Sequence, residues 1–140
     1  MDWKAYIISL TEQREAKSAK RDASFFPPLS QEHLSSWENE QGAPLPPSLR
    51  AFYLVSNGLE ASRGEWWPIV PLEEVKPLQR DSCEGESSLL FVGHTRTHRF
   101  YAALDHRETL FVEDPIAEEP CVAAKNLQQY LQLLFKNHWL

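Results

Sequence analysis

An apolar segment that starts with proline, residues 45–58, constrains the fold more than any other stretch of the chain. It reads Leu-Pro-Pro-Ser-Leu-Arg-Ala-Phe-Tyr-Leu-Val-Ser-Asn-Gly. Pro46 and Pro47 suit the first turn of a helix, where a missing N–H leaves no bond unmade. Asn57 and Gly58 suit the left-handed backbone that ends a helix. Apolar residues between them recur at helical spacing and spread around the axis, which predicts a central, buried helix of about ten residues.

Two shorter blocks follow this segment in a fixed order. They are Trp67-Pro68-Ile69 and Leu72-Glu73-Glu74-Val75. Together the three blocks resemble the SUKH superfamily, which includes fungal cell-wall synthesis regulators and many bacterial immunity proteins. The family pattern is Leu-Pro, a bulky apolar helix, Asn-Gly, and a strand that leads into a Leu-x-Glu-Val-like turn. We interpret the matching positions as determinants of the fold: Leu45, Pro46, Phe52, Asn57, Gly58, Trp67, Pro68 and Val75.

The resemblance implies a non-enzymatic binding module. Its most specific form is an immunity protein that occupies the active face of a toxin domain, often a nuclease, and so neutralises it. A regulatory scaffold of the fungal type is the alternative within binding proteins. The binding surface varies among members of the family, so the resemblance transfers no contact residue to this chain.

Length and composition fit one folded domain, residues 1–140. With 140 residues and 42% hydrophobic content, the chain can bury a core without a metal or disulfide, so we expect no cofactor. No apolar run approaches the roughly 20 residues that span a bilayer, and the N-terminus lacks the features of a signal peptide. We therefore expect a cytoplasmic protein without membrane contact. Cys83 and Cys121 form no Cys-x-x-Cys pair, which favours two reduced thiols over a disulfide.

The order of predicted elements favours an α+β domain. Helices come first, strands follow, and a helix comes last, without strand–helix alternation. We predict a mainly antiparallel sheet of about four to six strands, packed against N-terminal, central and C-terminal helices. The predicted elements of the first half are a helix at 2–19, an extended connector at 25–28, a helix at 31–41 that Ser30 caps and Gly42 ends, and the central helix. A loop at 59–64, a strand at 66–70 near a sheet edge, a helical turn at 72–75 and a mobile acidic excursion at 76–88 follow. The last predicted elements are strands at 89–92, 100–104, 109–112 and 121–123 and a helix from Asn126.

Two segments hold most of the negative charge, which is −6 overall. Residues 81–86 contain three carboxylates and residues 113–119 contain four. Such segments either keep a surface solvated or steer a basic partner towards the protein. The charge argues against nucleic acid as a direct ligand, because phosphate contacts need clustered Lys and Arg. The candidate contact residues here are Glu84, Glu86, Asp114, Glu118 and Glu119.

Trp66 and Trp67 form a second candidate feature. Neighbours in a strand point to opposite faces of the sheet. Either both indoles are buried, or the exposed one anchors a partner, because Trp is enriched among residues that dominate binding energy. On the second interpretation Trp66 is the candidate contact, with Arg63 and Glu65 beside it.

No catalytic motif is present in the sequence. His94 and His98 fall in a predicted loop, where a polar, cationic tip with Arg96 and Arg99 available to carboxylates is favoured over a zinc site. The adjacent pairs Glu73-Glu74 and Glu118-Glu119 give no evidence of an acid–base pair, which needs carboxylates that converge from different elements. A small hydrolase using either histidine is the alternative class, and a cleft with converging imidazole and carboxylate groups would favour it.

Overall fold

The computed structural model describes residues 2–12, 23–61, 66–82, 85–104, 108–113 and 121–135, apart from the side chains at 11–12, 80–82 and 85–87. Four α-helices, one 3₁₀ turn and eight strands lie in these residues. In chain order they are α1 Trp3–Glu12, β1 Ala23–Phe25, α2 Gln31–Gln41, α3 Pro47–Tyr53, β2 Leu59–Ala61, β3 Trp66–Ile69, the 3₁₀ turn Leu72–Glu74, β4 Lys76–Ser82, β5 Gly85–His94, β6 Arg99–Ala103, β7 Leu110–Glu113, β8 Cys121–Ala124 and α4 Leu127–Phe135.

The strands form one sheet in the order β1-β2-β3-β5-β6-β7-β8, and β4 pairs with β5 beside this path. Every pairing is antiparallel. β5 has β6 along one edge, while β4 and β3 share its other edge. The α+β prediction is confirmed, but the described strands outnumber the predicted four to six.

Three strands account for the difference. No strand was predicted at β1, β2 or β4. Residues 59–61 of the predicted loop and 76–82 of the predicted acidic excursion form strands, so these two predictions are wrong there, whereas the connector predicted at 25–28 overlaps β1 only at Phe25 and has no helix or strand beyond it. β1 and β2 have three residues each, too few to show a period of two, and they pair with each other. β4 is largely polar, and its composition does not predict a strand. It is a strand because it pairs with β5 along its whole length.

The helices cover one face of the sheet. Along β6, Phe100 and Ala102 belong to the main core with residues of all four helices. Tyr101 and Ala103 point to the other face and join a second, smaller cluster to which no described helix contributes. The strand alternation therefore separates a helix-covered face from a face without a described helix.

The central helix is buried as predicted, because Phe52 and Tyr53 are both 0% exposed. It is shorter than predicted, since α3 ends at Tyr53 and has seven residues. Asn57 and Gly58 shape the following turn instead of ending the helix. The Asn57 Oδ1 atom accepts the Leu72 N–H at 2.9 Å, and Gly58 adopts φ 107°.

The other helices follow local signals. Ser30 caps α2 by accepting the His33 N–H at 3.1 Å, and α2 ends at Gly42 with φ 66°, as predicted. Asn126 accepts the Gln129 N–H at 2.8 Å and starts α4. The predicted continuation of α1 over residues 13–19 lies outside the described residues. No described helix has the length and apolar character needed to cross a bilayer.

β3 lies inside the sheet between β2 and β5, so the prediction that it runs near an edge is wrong. Pro68 is tolerated because β3 makes only one register pair with β5, Trp67 with His94. Two core tyrosines anchor helices to this segment. The Tyr130 hydroxyl in α4 donates to the Pro68 carbonyl, and the Tyr53 hydroxyl in α3 donates to the Val70 carbonyl, each at 2.6 Å.

Candidate functional site

A hollow of about 630 Å³ lies on the sheet face that carries the second cluster. Phe91 of β5 and Tyr101 of β6 form its base, and they are register partners whose rings meet edge to face, with centroids 6.0 Å apart. Leu78 of β4 lies beside them. We call this concavity the sheet-face hollow.

Charged side chains surround this apolar base. Glu73 and Glu74 of the 3₁₀ turn and Lys76 at the start of β4 line one side, and all three are exposed. Arg99 and Glu113, from β6 and β7, also line the hollow. Three carboxylates and two cations thus border an aromatic base, a mixture suited to a polar partner surface.

Arg99, Tyr101 and Glu113 form a chain of contacts across the hollow. The Arg99 guanidinium lies over the Phe91 ring, 4.3 Å from the ring centroid. Its Nε donates to the Tyr101 hydroxyl at 3.3 Å, and that hydroxyl donates to Glu113 Oε1 at 3.1 Å. Tyr101 is only 3% exposed, so its side chain has little freedom to move. These contacts therefore fix the position of the exposed Arg99 guanidinium.

The structure does not support Trp66 as a contact residue. Trp66 is 6% exposed, and an indole this buried offers a partner almost no surface. Trp67 is the half-buried member of the pair, but it stacks on Phe26 with ring centroids 5.3 Å apart and packs against the main core. Arg63 and Glu65, the residues predicted to flank a tryptophan contact, lie outside the described residues.

The acidic candidates remain predictions. Glu84, Asp114, Glu118 and Glu119 lie outside the described residues. Only the backbone of Glu86 is described, in β5 opposite Asp81 of β4. The described residues of the first acidic segment, 81–82 and 85–86, therefore lie in the paired strands β4 and β5 and not in the excursion predicted from the composition.

The two histidines make local contacts. The His94 ring stacks on Phe91 with centroids 6.4 Å apart, and His98 Nδ1 lies 2.7 Å from Thr97 Oγ1. In the described part of the chain, no group of three His, Cys, Asp or Glu residues is placed to hold a metal ion. Cys121 is exposed in β8, whereas Cys83 is outside the described residues, so the state of the two thiols stays a prediction.

Sequence reasoning missed the sheet-face hollow as a site. Arg99 was expected to pair with carboxylates from a loop tip, but it opens β6 and rests on Phe91. Residues two apart in a strand point to the same face of the sheet, so the sequence did indicate that Arg99 and Tyr101 share a face and that Phe100 points to the other one. The β5–β6 register, which places Phe91 opposite Tyr101, has no signature in the sequence itself.

Comparison with known proteins gives one family. A family model described as the SMI1 / KNR4 family (SUKH-1) matches residues 28–132. The match begins before α2 and ends within α4, so it includes every element of the sheet-face hollow. No curated protein matches the chain.

Proposed function

The chain belongs to the SMI1 / KNR4 family (SUKH-1), and on this premise we propose that it is a non-enzymatic protein-binding module. Its specific role in this proposal is that of an immunity protein, which binds a toxin domain and neutralises it by covering its active face. The proposal rests on family membership together with one structural observation, the sheet-face hollow with its supported arginine.

The composition of the hollow supports binding over catalysis. Arg is among the residues enriched at the energetic centres of protein interfaces, and the exposed Arg99 lies here over the Phe91 ring, bonded to the hydroxyl of the buried Tyr101. The hollow's described lining has carboxylates but no histidine. This favours a protein-binding surface over the small hydrolase that was the alternative class.

The charge of the chain supports a basic partner. The net charge is −6, and two short segments hold seven carboxylates. A nuclease surface shaped for phosphate is basic, so carboxylates on the inhibitor can replace the phosphates and accelerate association. In this proposal Glu84, Glu86, Asp114, Glu118 and Glu119 supply that charge.

A regulatory scaffold is the second role open to a member of this family. A scaffold protein does not need a cluster of charges of one sign. An immunity protein that binds a basic toxin does need such a cluster. The two acidic segments therefore favour the immunity role.

A protection assay tests the proposal. The reading frames next to the gene are first searched for a toxin domain. Each candidate domain is expressed in a host with and without this chain, and host growth is measured together with binding of the two purified proteins. We expect growth only when the chain is present, and a stable complex. An unrelated toxin should remain lethal in its presence. A toxin that still kills and does not bind the chain would refute the immunity role.

A further inference from the structure

We infer that the sheet-face hollow is where the partner docks, and that Arg99 binds a carboxylate on the partner protein. This inference rests on the proposed function, because it names the contact through which the toxin domain is held. The partner is basic as a whole in the proposed function, and the group that Arg99 binds is a single carboxylate on its surface.

Arg99 is ordered before any partner arrives. Its guanidinium carbon lies 4.3 Å from the Phe91 ring centroid, and its Nε donates a hydrogen bond to the Tyr101 hydroxyl. Tyr101 is itself fixed by burial and by its bond to Glu113. An exposed arginine normally loses much side-chain freedom on binding, and a side chain that is already held loses less.

The terminal nitrogens of Arg99 remain available for a ligand. Glu113 is the register partner of Arg99 across the β6–β7 pair, yet among the described residues Arg99 forms no ion pair. Glu113 Oε1 instead accepts the Tyr101 hydroxyl. Since only Nε is used, the two Nη groups can bind a carboxylate in the bidentate arrangement that a guanidinium favours.

The surrounding charges select a protein over a small anion. Glu73, Glu74 and Glu113 line the same hollow and repel a lone anion. A partner surface that carries Lys or Arg around one Asp or Glu satisfies both signs, with its cations against the exposed Glu73 and Glu74 and its carboxylate on Arg99. Charge complementarity therefore points to a mainly basic protein surface with an acidic residue at its centre.

The test measures the affinity of the chain for a catalytically inactive form of the toxin domain that the protection assay identifies. Arg99→Ala removes the whole contact, and Arg99→Lys keeps the charge but loses the planar fork. The matched control is Lys4→Ala, because Lys4 is another exposed cation held over a phenylalanine ring, 5.3 Å from Phe25, and it lines no part of the hollow. Melting temperatures of all three variants verify that they are folded.

We expect Arg99→Ala to raise Kd about tenfold or more, Arg99→Lys to behave more like Arg99→Ala than like the wild type, and Lys4→Ala to leave Kd unchanged. Double-mutant cycles with each exposed Asp and Glu of the toxin should then find one residue coupled to Arg99. The inference is overturned, while the proposed function stands, if the wild type binds and both Arg99 variants bind the toxin domain as tightly as the wild type does. It is also overturned if no toxin carboxylate is coupled to Arg99. If the wild type does not bind, the proposed function fails and the inference fails with it.

Discussion

Gly93 of β5 lies against the backbone of Trp67 and Pro68 in β3. A Cβ atom built at this position would be 2.2 Å from the Pro68 carbonyl oxygen, far inside van der Waals contact. We predict that Gly93→Ala destabilises the protein by at least about 2 kcal/mol, because the two strands have to separate. Denaturant unfolding measures this change.

Gly42 provides the matched control for that prediction. Its φ is positive, at 66°, unlike that of Gly93, and a Cβ there meets nothing within 4 Å. Gly42→Ala should therefore cost only the strain of a left-handed backbone, about 1 kcal/mol. A loss at Gly93 no larger than that at Gly42 would contradict the predicted size of the crowding effect, and no loss at Gly93 would show that the crowding has no effect on stability.

Glu108 supplies a cap from a distant part of the chain. Its carboxylate accepts the Ser48 N–H at 2.7 Å and lies 3.3 Å from the Ser48 hydroxyl, near the start of α3, and its own φ is 56°. We predict that Glu108→Ala lowers stability by about 1 kcal/mol through loss of this cap.

A second variant separates the cap from the backbone strain at the same position. Glu108→Gly also removes the carboxylate but relieves the positive φ, so thermal or denaturant unfolding should find it about 1 kcal/mol more stable than Glu108→Ala. If Glu108→Ala unfolds like the wild type, the carboxylate does not stabilise α3.

These residues show which local features the sequence predicts. Ser30 and Gly42 were recognised because a cap depends on neighbours within a few positions. Gly93 and Glu108 were not, because each acts on a partner far along the chain, Pro68 and Ser48 respectively. A residue whose role depends on tertiary contact has no local signature.

At the level of elements, α3 and α4 are both fastened to the segment around β3 by a buried tyrosine hydroxyl. Burial raises the pKa of Tyr53 and of Tyr130 well above the ordinary value of 10.0. The nearby carboxylates Glu73 and Glu74 raise the pKa of Tyr53 further. The folded protein therefore keeps both protons at a pH where the unfolded chain releases them.

The stability of the protein should consequently fall in alkali. Below pH about 10 both states are protonated and the contribution of the hydroxyls is complete. As the pH rises above that value, the unfolded state loses protons first, and the free energy of unfolding should fall by about 1.4 kcal/mol per pH unit for each of the two tyrosines. Unfolding free energies measured across this range for the wild type provide the reference.

Tyr53→Phe isolates one of these groups. At neutral pH we expect it to cost about 1–3 kcal/mol, because the buried Val70 carbonyl loses its donor. Above pH about 10 the free energy of unfolding of the variant should fall less steeply than that of the wild type, and the difference in slope should equal the contribution of one tyrosine. Parallel pH profiles for the variant and the wild type would contradict the role of Tyr53 in alkaline unfolding.

The elements differ in how well their sequences predict them. α2, β6 and β7 were predicted close to their observed bounds and α4 close to its observed start, since they have caps or apolar runs of sufficient length. β4 was missed because its polar residues are held in a strand by pairing with β5. α3 was predicted too long because the apolar run continues past Tyr53, although the chain turns there.

At the level of the whole molecule, the sequence predicted the α+β class and the family, but not the position of the candidate site. The sheet-face hollow joins residues from the 3₁₀ turn and four strands, and only the sheet register brings Arg99, Phe91 and Tyr101 together. The acidic segments were visible in the sequence, and their part in binding is the central claim of the proposed function.

Association kinetics with the toxin domain test that claim most directly. The acidic variant is Glu118→Lys with Glu119→Lys, and the charge-matched control is Glu32→Lys with Glu40→Lys, two exposed positions on α2. We predict that the acidic variant slows association several-fold at low salt and more than the control does, with the difference shrinking as salt screens the charges. Association of the wild type that is insensitive to salt, with both variants as fast as the wild type, would contradict an acidic surface that steers a basic partner.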